Sequence, residues 1–369
     1  MTSLQLLTGH APTVLRTLPE ASARVCVTSP PYWGLRDYGT GQWEGGEPDC
    51  PHRGRVKPRN DTTGAGEGHG RFSNTRGGQP AKSAYAVPVR SQCPCGARRI
   101  DHQVGVEDSP AEYVARLVEI FREVRRVLTP DGTLWLNLGD CYTDGGRGSD
   151  AGSTLEGSRD NQRESRNTTV RRAFGGLPLK SLLGLPWRAA FALQEDGWVL
   201  RQDIIWHKRN PMPESVRDRP TRAHEYLFLF AKQRRYYFNA AAIAEVSTTG
   251  AEARFDPGTD GLSGGHRQTG KSTRRFGVNP ETRNARSVWT INCKPYKGAH
   301  FATFPEEIPR RCILAGSAIG DTVLDPFGGA GTTAKVALGL GRAAVHIDLK
   351  PAYIELARKR ISPDVSGAA

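Results

Sequence analysis

The stretch "DTVLDPFGGAGTTAKVALGLGRAAVHID", residues 321–348, decides the fold. Thr322-Val323-Leu324 is a short apolar strand candidate. It stops at Asp325-Pro326, where proline brings no amide hydrogen to extend a sheet. Gly328, Gly329 and Gly331 follow, and glycine lets a backbone approach a neighbour that any Cβ would push away. Apolar residues then recur at helical spacing from about Thr332 to Leu340, and Ala343 to Ile347 reads as a second strand ending at Asp348. Strand, glycine turn, helix and strand together make one unit of a doubly wound parallel sheet.

The same alternation extends outward. Helices are expected over about 305–315 and 352–361. Upstream, Ser109-Pro110 opens a helix carrying Val114, Leu117, Val118, Phe121, Val124 and Leu128 on one stripe. Pro130-Asp131-Gly132 is expected to turn the chain into the strand Thr133 to Leu138. A helix over about 179–194 and strands over about 198–207 and 226–230 follow. The fold class is therefore α/β and Rossmann-like, a doubly wound, mostly parallel sheet. Residues 40–108, 143–176 and 246–290 are rich in Gly, small polar and basic residues and read as loop-rich insertions.

A glycine turn alone suits a structural corner or a dinucleotide as well as other ligands. Two carboxylates shift the balance. Asp325 precedes the turn and would repel a pyrophosphate, whereas it suits the ammonium and sulfonium of S-adenosylmethionine. Asp348, at the end of the next strand, can accept hydrogen bonds from a ribose diol.

The 369 residues carry 51 Lys and Arg against 38 Asp and Glu, a formal charge of +13. Residues 51–100 alone hold ten basic and two acidic side chains. Such asymmetry points to a polyanionic partner or to a solubilising basic loop. Seven cysteines, an odd set, argue against a disulfide framework. No signal region follows Met1 and no apolar run is long enough to cross a bilayer, so no membrane partner and a cytoplasmic location are expected.

A second motif lies in "TSPPYWGLRDYG", residues 28–39, directly after the strand candidate Val25-Cys26-Val27. Two prolines stop that strand on a stiff, aromatic corner. Ser29-Pro30-Pro31-Tyr32, taken with Asp325-Pro326-Phe327-Gly328-Gly329-Ala330-Gly331, resembles the amino-group DNA methyltransferases. The catalytic motif precedes the cofactor motif, which is the order of the family's beta class. RNA and protein glutamine methyltransferases with similar Pro-Pro-Tyr motifs place the cofactor motif first. A catalytically silent nucleic-acid-binding protein is disfavoured because both motifs are complete.

The resemblance implies S-adenosylmethionine as cofactor, duplex DNA as partner, association with DNA in the cell, and a monomer or homodimer. It assigns residues 1–40 and 106–240 to a catalytic half, 241–290 to target recognition, 291–363 to a cofactor half and 364–369 to a tail. Ser29 and the Pro30 carbonyl would hold an exocyclic amino group, Pro31 would fix the corner, and Tyr32 would stack on the base. A paired base cannot reach such a corner, so the target must flip out of the duplex. Thr28, Phe304 in the "GAHFATFP" segment, Asp325, Pro326, Phe327, Gly328, Gly329, Gly331, Thr332 and Asp348 would surround the cofactor. Serine preceded by Thr28 is the form commonest among cytosine N4 enzymes; adenine N6 is the alternative. Trp33 and Tyr38 either line the base pocket or pack the loop.

In the 41–105 insertion, Cys50, His52, Cys93 and Cys95 offer the number of ligands a closed structural zinc site needs. Exposed thiols in a loop are the competing reading. Arg267, Lys271, Arg274, Arg275, Arg283 and Arg286 in the recognition region are candidates for DNA phosphates or guanine edges.

Overall fold

The computed structural model describes residues 3–34, 40–50, 93, 95–107, 109–143, 177–178, 180–214, 216–247, 282–293 and 304–365. In chain order the elements are β1 (Leu4–Thr8), α1 (Ala11–Thr17), β2 (Ala23–Thr28), β3 (Gln42–Glu44), β4 (Arg98–Ile100), α2 (Pro110–Val127) and β5 (Leu128–Leu138). There follow α3 (Leu185–Glu195), β6 (Val199–His207), β7 (His224–Ala231), β8 (Glu245–Val246), β9 (Thr282–Arg283) and β10 (Val288–Thr290). The last are α4 (Glu307–Gly316), β11 (Thr322–Asp325), α5 (Thr332–Gly339), β12 (Ala343–Asp348) and α6 (Pro351–Val365).

Eight strands form one sheet in the order β1-β12-β11-β2-β5-β7-β6-β10. All neighbours are parallel except at β7, which runs against both β5 and β6. The reversal follows from the connection: no helix separates β6 from β7, and antiparallel neighbours need only a loop.

The sheet is covered on both faces, as a parallel sheet must be. Strand alternation divides the core. Cys26, Leu134 and Leu136 pack with Leu15, Leu117 and Leu193 from α1, α2 and α3. Val25, Val27 and Trp135 pack with Ile308, Ala334 and Ala357 from α4, α5 and α6. Helix α2 forms where its spacing predicts, with the Ser109 hydroxyl capping the Glu112 amide at 3.2 Å.

Three local expectations change. Pro130-Asp131-Gly132 is not a turn before the strand but a bulge inside β5: Ala23 pairs with Leu128 and Val25 already with Thr133. Helix α3 starts at Leu185 rather than near 179, because Gly184 is left-handed (φ 67°) and the Asp140 carboxylate accepts from the amides of Gly184 and Leu185. Strand β1, too short to show a pattern, pairs along its whole length with β12 and so sits beside the cofactor half rather than the catalytic half.

Beneath the glycine turn lies His346, wholly buried, with neither ring nitrogen hydrogen-bonded. Burial lowers its pKa from 6.5 to about 4, so the ring is neutral. A Cβ on Gly328 would fall 2.0 Å from its Nδ1. Gly328→Ala is therefore expected to lower stability by about 1–3 kcal/mol, the usual range for overpacking. Thermal unfolding reads the loss, and adding His346→Ala should recover part of it; an unchanged midpoint in Gly328→Ala would contradict the packing.

Candidate active site

Strands β2 and β11 are parallel neighbours, so the turns that follow them leave the same edge of the sheet side by side. A hydrogen bond ties the two: the Thr28 hydroxyl donates to Asp325 Oδ1 at 2.7 Å, across 297 residues of sequence. The Phe327 amide reaches the same oxygen at 3.1 Å, and Thr333 Oγ1 donates to the Val27 carbonyl at 3.2 Å. Burial pushes Asp325 up to about 6 against the pull of these donors. Both Thr28 and Asp325 are buried and neither lines the cavity described below. The carboxylate that sequence reasoning aimed at the cofactor is spent on holding two turns together.

The corner after β2 is held from behind. Tyr113 donates its hydroxyl to the Pro31 carbonyl at 3.1 Å, the Gly34 amide bonds Gly105 at 2.8 Å, and Trp33 Nε1 bonds the Glu107 carbonyl at 2.9 Å. Trp33 is 2% exposed and packs the loop; Tyr38 lies outside the described residues. Among the described residues no hydrogen bond uses the Pro30 carbonyl, which leaves that acceptor available.

Tyr32 rests on Gly139, where a Cβ would come within 2.6 Å of its ring. Its hydroxyl donates to Glu225 Oε2 at 2.7 Å, with Asn137 Oδ1 at 3.2 Å and the Ser29 hydroxyl at 3.4 Å. Asn137 Nδ2 bonds Glu225 Oε2 at 3.3 Å and the Tyr226 carbonyl at 3.0 Å. Lys208 pairs with the other oxygen of Glu225 and lies 4.4 Å above the Trp206 ring. Desolvation, then the Glu225 charge, raises the Tyr32 pKa well above its ordinary value. The phenol stays protonated and serves as a donor.

The two turns wall a cavity of about 330 Å³, within the range of small-molecule sites. On one side stand Ser29, Pro30, Pro31, Tyr32, Asn137 and Glu225. On the other stand Pro326, Phe327, Gly329, Asp348 and Phe304. His10, Thr40, His102 and Gln103 close a third side. Asp348 accepts from the amides of Gly329 (2.9 Å) and Lys350 (2.8 Å), and burial pushes its carboxyl up to about 6. Burial and the neighbouring His102 hold His10 down to about 4, so it is neutral. Its Nε2 is buried without a partner. An acidic acceptor, an unsatisfied ring nitrogen and the Phe327 ring around one space fit a ribosyl purine carrying a methionine arm, which is S-adenosylmethionine.

Gly328, Gly331 and Thr332 do not line this space. Gly328 clears His346; Gly331, with φ 79°, starts α5 and clears Ala357; Thr332 accepts from Arg360 at 2.8 Å. Sequence reasoning missed Asn137, Lys208, Glu225 and His10. Asn137 left a trace, a lone polar residue in the apolar run LWLNL; the others had no local signal.

Cys50, Cys93 and Cys95 come together, with their sulfurs within 4.8 Å of one another, whereas His52 lies outside the described residues. Arg283 and Arg286 both pair with Glu245 and stitch β8 to β9. Arg267, Lys271, Arg274 and Arg275 lie outside the described residues. Among the described residues no helix is long and apolar enough to cross a membrane.

Comparison with known proteins gives the family of the chain. Residues 23–359 match the N6/N4 methyltransferase family described as DNA methylase. Type II methyltransferase M.Cfr9I of Citrobacter freundii is 40% identical over 357 residues, covering 96% of this chain and 87% of the relative. M.SmaI of Serratia marcescens is 38% identical over 360 residues, 97% of this chain and 91% of its own. The fold resembles the cytosine-N4-specific PvuII DNA methyltransferase (TM-score 0.53, 15% identity, 98% and 86% coverage). It also resembles a DNA modification methylase of Thermus thermophilus, TTHA0409, complexed with S-adenosyl-L-methionine (TM-score 0.51, 22% identity, 98% and 95% coverage). The chain belongs to the N6/N4 DNA methylase family, and is an amino-group DNA methyltransferase that uses S-adenosylmethionine.

Proposed function

We propose that this enzyme is a site-specific Type II methyltransferase acting on the N4 amino group of a cytosine flipped out of duplex DNA. The observation that supports the reading is one cavity lined both by Ser29 and Pro30 and by Gly329 and Asp348.

An exocyclic amino nitrogen is a weak nucleophile because its lone pair is delocalised into the ring. Two acceptors on its hydrogens pull the nitrogen towards a tetrahedral shape and localise that pair. Ser29 and the Pro30 carbonyl are such acceptors, and Tyr113, bonded to the next carbonyl, keeps the corner from rotating. Tyr32 offers a flat face whose tilt is set by Gly139 below and Glu225 at the hydroxyl. Asp348, His10 and Phe327 would hold S-adenosylmethionine, which supplies an electrophilic methyl group. Positioning then carries most of the acceleration. The preference for cytosine rests on the resemblance: serine leads this motif most often in N4 enzymes. The charge of +13 suits a duplex partner.

Nucleosides from duplex DNA treated with the pure protein should contain N4-methylcytosine by mass spectrometry; N6-methyladenine in its place would overturn the assignment of the base. Ser29→Ala is expected to lower kcat by about 10²–10³, the effect of losing one well-placed transition-state hydrogen bond. Tyr32→Ala should lose about 1–3 kcal/mol of base stacking, while Tyr32→Phe keeps most of it. A filter assay with labelled cofactor and duplex DNA separates the two variants.

The raised carboxyl of Asp348 sets a pH dependence. An ionised carboxylate accepts ribose hydroxyl hydrogens better than its acid, so affinity for S-adenosylmethionine should be full above about pH 6 and fall as pH drops through that value. Lys350 is the cation beside it, and Asp325 titrates in the same window. Calorimetry on Asp348→Asn tells them apart: binding that is weaker and nearly flat between pH 5 and 7 is expected, and an unchanged slope would assign the titration elsewhere.

A further inference from the structure

The cysteine cluster in the first insertion lies outside the methyl-transfer machinery, and methylation chemistry does not call for it. Cys50 follows β3, while Cys93 and Cys95 precede β4. These two short strands pair as an antiparallel hairpin, with Gln42 opposite Ile100 and Glu44 opposite Arg98. Cys50 Sγ and Cys93 Sγ are 3.6 Å apart, and all three sulfurs fall within 4.8 Å of each other. A tetrahedral zinc with Zn–S bonds of about 2.3 Å sets its sulfurs about 3.8 Å apart, close to the 3.6 Å between Cys50 and Cys93, and Cys95 lies within reach of both.

The backbone around the sulfurs is shaped to match. The amides of Ala97 and Glu47 both donate to the Cys95 sulfur. Gly46 and Gly96, with φ of 78° and 91°, make the two tight turns that bring those amides in. A Cβ on Gly46 would come within 2.8 Å of the Cys95 sulfur. The Cys93 amide bonds the Ala97 carbonyl at 2.7 Å and the Gly96 amide bonds the Cys93 carbonyl at 2.9 Å, closing the second turn on itself.

We propose that Cys50, Cys93 and Cys95 bind one zinc ion as thiolates, and that this ion pins the β3–β4 hairpin and, through it, one wall of the cofactor cavity. The mechanical link is short. Thr40, just before β3, donates to Asp101 at 2.8 Å; Asp101 also accepts from the Gln103 amide at 3.0 Å and pairs with Arg99 at 2.8 Å. Thr40, His102 and Gln103 all line the cavity. The hairpin has two pairs of ends: the cysteines cross-link one and the cavity wall grows from the other. Three thiolates fill three tetrahedral positions and leave one for a further ligand. The site is structural in this assignment, and the inference is independent of which base is methylated.

The full-length protein, purified with reductant and without chelator, should contain about one zinc per chain by elemental mass spectrometry. Replacement by cobalt(II) should give thiolate-to-metal charge-transfer bands with the intense visible bands of a tetrahedral ion. Cys93→Ser and Cys95→Ser should lose the metal, and Cys293→Ser should keep it. Because the serine variants can fail by misfolding, hydrogen exchange on the wild-type chain provides a second reading: removing zinc should speed exchange in residues 40–44 and 98–104 at least tenfold and leave β5 and β7 unchanged. Zinc well below stoichiometry after reconstitution, no thiolate bands with cobalt, full zinc retention in both serine variants, or unchanged exchange in the hairpin would each overturn the proposal.

Discussion

The hydrogen bond from Thr28 to Asp325 is the contact on which the site depends. It joins the last residue of one strand to the last residue of its parallel neighbour, at the point where two turns with different duties emerge. A buried carboxylate is costly without donors, and its hydroxyl and amide partners come from both sides of the junction. The corner after β2 and the glycine turn after β11 are thereby held in register. Their separation is set by the spacing of adjacent strands, about 4.8 Å, rather than by loop conformation.

Around Tyr32 a second polar network does a different task. Asn137, Glu225, Lys208 and the Tyr32 hydroxyl come from β5, β7, the end of β6 and the corner itself. Glu225 alone would be an uncompensated charge beside an aromatic face. With Lys208 on one oxygen and Tyr32 and Asn137 on the other, it becomes a fixed anchor for the Tyr32 ring. The reversed direction of β7 brings Glu225, at its start, level with the ends of β5 and β6.

Local chemistry explains what was legible in the sequence. The strand, glycine turn and strand of 321–348 and the Ser29–Tyr32 corner carry their signals within a few residues, so both turns, the parallel sheet and the helices over α2, α4, α5 and α6 could be read directly. What was not legible depends on distant partners. Asp325 looked like a ligand for the cofactor because its partner Thr28 is 297 residues away. Gly328 looked like a ligand cradle, yet the group that excludes a Cβ there is His346 from the next strand. Strand β1 has five residues and no clear alternation; only β12 beside it makes it a strand. His10 follows it into the cavity for the same reason.

The place of β11 in the sheet has a consequence for how the protein is made. It lies between β2 and β12, so the half that is synthesised first, β2-β5-β7-β6, has an open edge at β2 until residues 322–325 exist. At elongation speeds of about 5–20 residues per second, the interval between Thr28 and Asp325 lasts about 15–60 s. Throughout that time a strand ending in the Ser29–Tyr32 corner displays unpaired amides and carbonyls, the arrangement most open to pairing with another chain. Strand β11 closes that edge and in the same step brings Pro326 and Phe327 to the cavity, whereas Asp348, at the end of β12, reaches it only afterwards.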